Sequence, residues 1–161
     1  MPEPKDVAVY VSIVAPIVTW SLVIGGWLFV RSDNNKRENR REIRSILDAI
    51  IKEIKDLEDS GWDYYQKPSD DPEAIKLGVS MKRNKALLED RIGHLAKTTG
   101  RFTSLEKLSK FGDELTGGDY EQNSRQVRTI KDRKFLEIST AANDLITYLE
   151  DEYRYFVPAN R

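Results

Sequence analysis

The chain has 161 residues, with 26 basic and 27 acidic side chains and a formal net charge of −1. Lys5 is the only basic residue and Glu3 and Asp6 are the only acidic residues before residue 31, so residues 31–161 carry no net charge. Nucleic-acid binding over a broad basic face is therefore excluded, and no nucleic-acid partner is expected. The absence of cysteine excludes disulfides and thiolate metal sites.

Residues 7–30 read VAVYVSIVAPIVTWSLVIGGWLFV and contain no charged side chain. At about 1.5 Å per helical residue this run is long enough to cross a hydrocarbon layer of about 30 Å. The sequence therefore predicts a transmembrane helix over residues 7–30. A buried core helix is one alternative. A cleaved signal peptide is the other, but the acidic start and the missing small-x-small site do not fit it.

Basic residues follow the predicted span closely, whereas the segment before it is slightly acidic. Positively charged flanks stay in the cytoplasm, which places residues 1–6 outside the cell and all residues from 31 onward in the cytosol. We expect a single-pass protein of the cell (plasma) membrane, held by an uncleaved signal-anchor. The flank sets this topology, and it either also binds anionic lipid or serves only to stop transfer. Its residues are Arg31, Lys36, Arg37, Arg40, Arg41 and Arg44.

Small residues recur along one face of the predicted span, at spacings of three, four and seven. Such faces allow close packing of helices in lipid, so the span is also a candidate for self-association into a homo-oligomer. The face is formed by Ala8, Ser12, Ala15, Thr19 and Gly26.

Beyond the span, residues 31–45 form the basic juxtamembrane start of the first cytosolic helix, and residues 46–161 form a cytosolic helical domain. That helix is predicted over residues 33–59, with Gly61 as its end, because apolar residues alternate at spacings of four and three. The predicted inward residues are Ile43, Leu47, Ile50, Ile54 and Leu57.

A second helix is predicted over residues 72–98, with Asp71 as N-cap and proline at the first helical position. The residues expected to face inward are Ile75, Val79, Leu88, Ile92 and Leu95. Trp62, Tyr64 and Tyr65 lie between these helices, and they form either a lid over the end of the bundle or an exposed recognition patch.

A capping box at residues 103–106 predicts a short third helix that ends at Gly117 and Gly118. Its apolar residues are Leu105, Leu108, Phe111 and Leu115. A long fourth helix is predicted over residues 123–156, with Val127 and Ile130 slightly out of phase. Its core set is Phe135, Ile138, Ala142, Leu145, Leu149 and Phe156. No strand pattern is present, so the fold class is all-α: one N-terminal transmembrane helix followed by an irregular three- or four-helix cytosolic bundle.

Catalytic signatures are absent from the sequence. His94 is the only histidine, and no phosphate-binding glycine loop or G-x-S-x-G turn occurs. We therefore expect no enzyme activity, no cofactor and no metal.

Two functions fit the remaining features. In the first, the span tethers a helical interaction module, an adaptor or inhibitor of another cytosolic or membrane protein, to lipid at the cytoplasmic leaflet. In the second, the spans oligomerise into a pore or lesion when the cytosolic domain is triggered, which requires polar side chains along one face. Candidate contacts with the protein partner are Trp62, Tyr64, Tyr65, Tyr153 and Tyr155.

Overall fold

The computed structural model describes residues 4–103 and 105–159; the side chains of residues 4–18, 29, 32, 33, 158 and 159 are outside this description. The helices are α1 (Pro4–Tyr65), α2 (Pro72–Thr99), α3 (Leu105–Thr116) and α4 (Arg133–Ala159). The described residues contain no strand, which confirms the all-α prediction. The chain divides into an N-terminal unit, Met1–Arg41, and a C-terminal unit, Glu42–Arg161.

The N-terminal unit contains the predicted span. No helix within the described residues is both long enough and apolar enough to cross a membrane. The side chains of residues 7–18, the first half of the predicted span, are not among those that the structure describes. Within the other half, the described apolar side chains are exposed.

The C-terminal unit is a helical bundle whose core combines residues of α1, α2, α3 and α4. The predicted inward residues of α1, from Ile43 to Leu57, are all buried, because spacings of three and four keep them on one side of the helix. Each such aliphatic side chain contributes about 1.5–3 kcal/mol when it is fully buried.

The predicted end of the first helix at Gly61 is wrong, because α1 continues to Tyr65. Gly61 is buried inside the helix, at a point where the other helices approach closely. A Cβ atom there would lie 2.7 Å from Leu115 Cδ1 of α3, 3.7 Å from Ile138 Cδ1 of α4 and 3.8 Å from Met81 Cε of α2. The glycine thus makes room for its neighbours and does not terminate the helix.

Helix α2 has the predicted start and ends one residue later than predicted. The Asp71 carboxylate accepts a hydrogen bond from the Glu73 N–H at 2.8 Å, which confirms the N-cap. Gly100 closes the helix in a left-handed conformation with φ +68°.

The predicted inward face of α2 is correct at Leu88, Ile92 and Leu95 but wrong at Ile75 and Val79, which are 57% and 65% exposed. The buried residues in the first turns are instead Ala74, Gly78 and Met81. Gly78 leaves room for the Tyr64 ring and the Tyr120 hydroxyl; a Cβ atom at Gly78 would lie 3.1 Å from Tyr64 Cε2. Ile75 and Val79 are consequently left at the surface.

Helix α3 is short and ends before Gly117, as predicted, and Leu108, Phe111 and Leu115 are buried. Leu105, another apolar residue of the predicted helix, is the first residue of α3 and is 71% exposed. Ser104, the second residue of the predicted capping box, lies outside the described residues.

Helix α4 begins at Arg133, so the prediction of a helix from residue 123 is wrong. Residues 119–132 form turns and irregular chain. The Arg128 N–H donates to the Tyr65 carbonyl at 2.9 Å, which removes it from any helical hydrogen bond of this segment. The Asp132 carboxylate then accepts from the Lys134 N–H at 2.9 Å and starts α4. The predicted core residues from Phe135 to Phe156 are buried.

Candidate functional site

The first candidate surface is the apolar part of α1 over residues 19–30. Seven large apolar side chains there are between 53% and 71% exposed. Most of them lie on one side of the helix, and small or hydroxyl residues occupy much of the remainder, so no side of residues 19–30 carries a charge. A helix without polar sides is typical of a buried or membrane-embedded segment. The seven are Trp20, Leu22, Val23, Ile24, Trp27, Leu28 and Val30.

The small-residue face is described only in part. The side chains of Ala8, Ser12 and Ala15 are outside the described residues. Thr19 is exposed, and a Cβ atom built at Gly26 meets no atom within 4 Å. The part that is described is therefore open, and packing between spans stays a prediction.

The predicted basic flank separates into two groups. Arg31, Lys36, Arg37 and Arg41 are exposed and Arg40 is half-buried, all within the N-terminal unit. The Arg31 guanidinium lies 5.3 Å from the centre of the Trp27 ring, close enough for a cation–π contact.

Arg44 belongs to the C-terminal unit and has a different environment. Its guanidinium donates two hydrogen bonds to the Glu150 carboxylate, at 2.8 and 3.0 Å, and lies 2.8 Å from Asp48. The hydrogen bond to Glu150 is the main reason that the Arg44 pKa is raised. Arg44 thus fastens α1 to α4, a contact between residues distant in sequence that periodicity could not indicate.

The aromatic residues proposed as partner contacts fall mainly into the core. Tyr64 and Tyr65 are buried, and Trp62 is half-buried with its ring 5.0 Å from that of Phe135. These positions correspond to the lid alternative, because buried rings are not accessible to a partner. Tyr153 is half-buried, and Tyr155 is 66% exposed.

Tyr64 and Tyr65 connect the end of α1 to the loop between α3 and α4. The Tyr65 hydroxyl donates to the Leu115 carbonyl at 3.1 Å, and burial raises the Tyr65 pKa. The Tyr64 hydroxyl accepts from the Glu121 N–H at 3.1 Å. Two phenols therefore hold this loop against the bundle.

The second candidate site is built around Arg125, the only charged residue among the buried ones that the structure describes. Its guanidinium carbon lies 3.8 Å from the centre of the Tyr64 ring, and Nη2 donates to the Lys67 carbonyl at 2.8 Å. Nε is buried without a hydrogen-bond partner. Within the described residues, no carboxylate lies in ion-pair range of Arg125, whereas the neighbouring Arg128 pairs with Asp119 and Asp132.

The favourable contacts of Arg125 do not fully offset the free-energy cost of burying its charge. Burial of a charged group costs several kcal/mol even after relaxation. A desolvated cation–π contact returns about 2 kcal/mol, and a hydrogen bond to a charged group about 1.5–3 kcal/mol. The Tyr64 ring and the Lys67 carbonyl therefore offset most of the cost, but no carboxylate among the described side chains pairs with Arg125 to complete the site.

Arg125 lines an open cleft of about 400 Å³ between the first turns of α2 and the loop between α3 and α4. This volume is in the range of small-ligand sites, about 300–1,000 Å³. The exposed side chains of Ile75 and Val79 form its apolar edge. The full lining is Tyr64, Ser69, Ala74, Ile75, Gly78, Val79, Glu121, Gln122, Asn123 and Arg125. The sequence does not predict this site. It indicates only a loop, through the phase change at Val127 and Ile130.

Among the side chains that the structure describes, no set of three or more histidine or acidic groups is placed to hold a metal ion. Comparisons with protein-family models, with curated proteins and with solved structures found no match to this chain.

Proposed function

We propose that this protein is anchored in the plasma membrane by residues 7–30 and holds its helical C-terminal unit at the cytoplasmic leaflet as a module that binds another protein. The observation that carries the proposal is the exposed apolar surface of residues 19–30. Proteins in water seldom expose apolar surface of this extent, because each Å² costs about 25 cal/mol. Lipid would cover a helix that carries no charge on any side, and the uncharged residues 7–18 continue the same run.

The orientation proposed is residues 1–6 outside and the C-terminal unit inside. Trp27 and Arg31 support it, because tryptophan is enriched at membrane interfaces and basic residues at the cytoplasmic side. The exposed side chains of Lys36, Arg37 and Arg41 extend the basic flank, and a basic segment beside a span is attracted to anionic headgroups.

The binding role of the C-terminal unit is supported by apolar side chains that its core leaves at the surface. Ile75 and Val79 are exposed on neighbouring turns of α2, and Val79 and Ile75 border the Arg125 cleft. A pore would need a polar face along the span. In residues 19–30, Thr19 and Ser21 are the only polar side chains, which favours the tether.

Location and topology are tested together. The full chain with a reporter fused after Arg161 is expected in the membrane fraction, to resist alkaline extraction, and to give a cytosolic reporter signal. Replacement of Arg37, Arg40 and Arg41 by Gln, with lysines added before Val7, should invert a fraction of the molecules. Complete release by alkaline extraction would contradict the anchor, and an external reporter signal on the unchanged chain would contradict the orientation.

Tether and pore are separated by exchange of the span. Residues 7–30 are replaced by an unrelated single span of the same orientation, and partner binding is measured by co-purification from detergent extracts. A tether needs only membrane location and should keep its partner. If binding persists but an ion leak present in the unchanged protein disappears, the pore function is the correct one.

A further inference from the structure

The cleft beside α2 combines an incompletely compensated cation with an apolar edge. Arg125 is 5% exposed and has the Tyr64 ring on one side and the Lys67 carbonyl on another. Its Nη1 atom makes no hydrogen bond with the described residues and, unlike Nε, is not among the buried unpaired atoms. Arg125 therefore retains an unpaired donor atom, Nη1, for a group that enters the cleft.

The charges around the cleft do not cancel that of Arg125. Glu121 also lines the cleft, but its carboxylate lies 2.5 Å from the Lys82 ammonium and is neutralised there. Asp119, the next acidic group along the loop, forms an ion pair with Arg128 at 3.0 Å. The site is thus complementary to a single negative charge, such as a carboxylate that accepts a charge-assisted hydrogen bond from Nη1.

The other wall of the cleft determines what carries that charge. Ile75 and Val79 are more than half exposed, and the small residues Ala74 and Gly78 line the same wall. Contact with an apolar side chain would remove Ile75 and Val79 from water. A small inorganic anion would leave them exposed, so the lining favours an anion attached to an apolar group.

We propose that this cleft binds a segment of the partner protein in which a carboxylate stands beside an aliphatic side chain, with the carboxylate at Arg125 and the side chain against Ile75 and Val79. The inference rests on the proposed binding function in taking a protein as the source. The same chemistry occurs in free organic acids, and the experiment separates the two sources.

The test measures binding of small probes to the purified full chain in detergent, by nuclear magnetic resonance with ¹⁵N-labelled protein. N-acetyl-leucine supplies a carboxylate, a peptide group and an aliphatic side chain. Its amide lacks only the charge, and hexanoate lacks the peptide group. N-acetyl-leucine is expected to bind saturably, with shifts at Gln122 and Asn123, and about tenfold more tightly than its amide.

Two variants and one control locate the binding. Arg125→Met removes the charge, and Val79→Asp places a negative charge at the apolar edge; each should weaken N-acetyl-leucine binding about tenfold. Val79 is exposed, so Val79→Asp keeps the test decisive if Arg125→Met fails to fold. Val127→Asp makes the same change at an exposed position outside the cleft lining and should alter affinity less than about twofold.

Equal affinity for N-acetyl-leucine and its amide, no saturable binding of any probe, or unchanged binding by Val79→Asp would overturn the proposal. Tighter binding of hexanoate than of N-acetyl-leucine would assign the cleft to free organic acids and overturn the protein source. Because binding is measured in detergent, failure of the membrane anchor would leave these results unchanged, and the two proposals can fail separately.

Discussion

Substitution of two helix-interior glycines by alanine provides a direct test of the packing. Gly61 of α1 and Gly93 of α2 both occupy interior helical positions, and the same change should have opposite effects at the two sites. Alanine is better than glycine in a helix by about 0.8–1.0 kcal/mol, so propensity alone predicts that both variants are stabilised.

The surroundings reverse the sign of the expected stability change only at Gly61. A Cβ atom at Gly93 meets no atom within 4 Å, so Gly93→Ala should stabilise the protein by about 0.5–1 kcal/mol. At Gly61 the Cβ atom would lie 2.7 Å from Leu115 Cδ1, and Leu115 is fully buried. Overpacking costs about 1–3 kcal/mol, which leaves Gly61→Ala destabilised by up to about 2 kcal/mol.

The assay is thermal unfolding of the full chain in detergent, followed by circular dichroism. For a domain of this size about 1 kcal/mol shifts the melting temperature by a few degrees, so the two variants should melt on opposite sides of the unchanged protein. A melting temperature for Gly61→Ala at or above that of Gly93→Ala would refute the close approach of α1 to α3.

Three further outcomes are expected. Leu145→Ala should lower the free energy of unfolding by about 2–5 kcal/mol in urea titrations, because Leu145 is fully buried; a change under about 0.5 kcal/mol would mean that its burial is wrong. Tyr65→Phe should cost about 0.5–1.5 kcal/mol by the same measurement, since the Leu115 carbonyl loses a buried donor; a neutral effect would contradict that bond. The hydrogen bond from Lys134 N–H lowers the Asp132 pKa, so the stability it adds is present above its ordinary value of 3.8 and lost as the pH falls below it. Asp132→Asn should flatten that acid limb of stability against pH, and an unchanged limb would contradict the shift.

The buried side of a helix is predictable from the sequence where it follows from the spacing of apolar residues in that helix alone. In the part of α1 from residue 43 to residue 57 and in α4, large aliphatic and aromatic residues recur on one side of the helix. Any bundle that uses these helices must bury that side, since the hydrophobic effect depends on area and not on the identity of the neighbour. The stripe from Ile43 to Leu57 and the set from Phe135 to Phe156 were therefore predictable.

Helix α2 shows where this reasoning fails. Its first turns offer two faces, one with Ile75 and Val79 and the other with Ala74 and Gly78, and periodicity selects the more apolar one. The structure buries the smaller face, because the Tyr64 ring already fills the space against it and the Tyr120 hydroxyl donates to the Gly78 carbonyl at 2.6 Å. Volume, and not hydrophobicity, decides the phase of this helix.

The prediction of a helix from residue 123 is wrong for a different reason, and the same reason accounts for the candidate site. Residues 123–132 have a sequence compatible with a helix, yet Arg125 contacts the Lys67 carbonyl 58 positions earlier and Arg128 contacts the Tyr65 carbonyl. Periodicity carries no information on pairs so distant in the chain. Once these contacts form, the segment cannot continue the helical hydrogen bonds of α4, and Arg125 is drawn under the surface beside Tyr64. The wrong helix start and the unpredicted cleft thus have the same cause. The long-range contacts that keep residues 123–132 out of α4 also place a buried cation next to the apolar edge of α2.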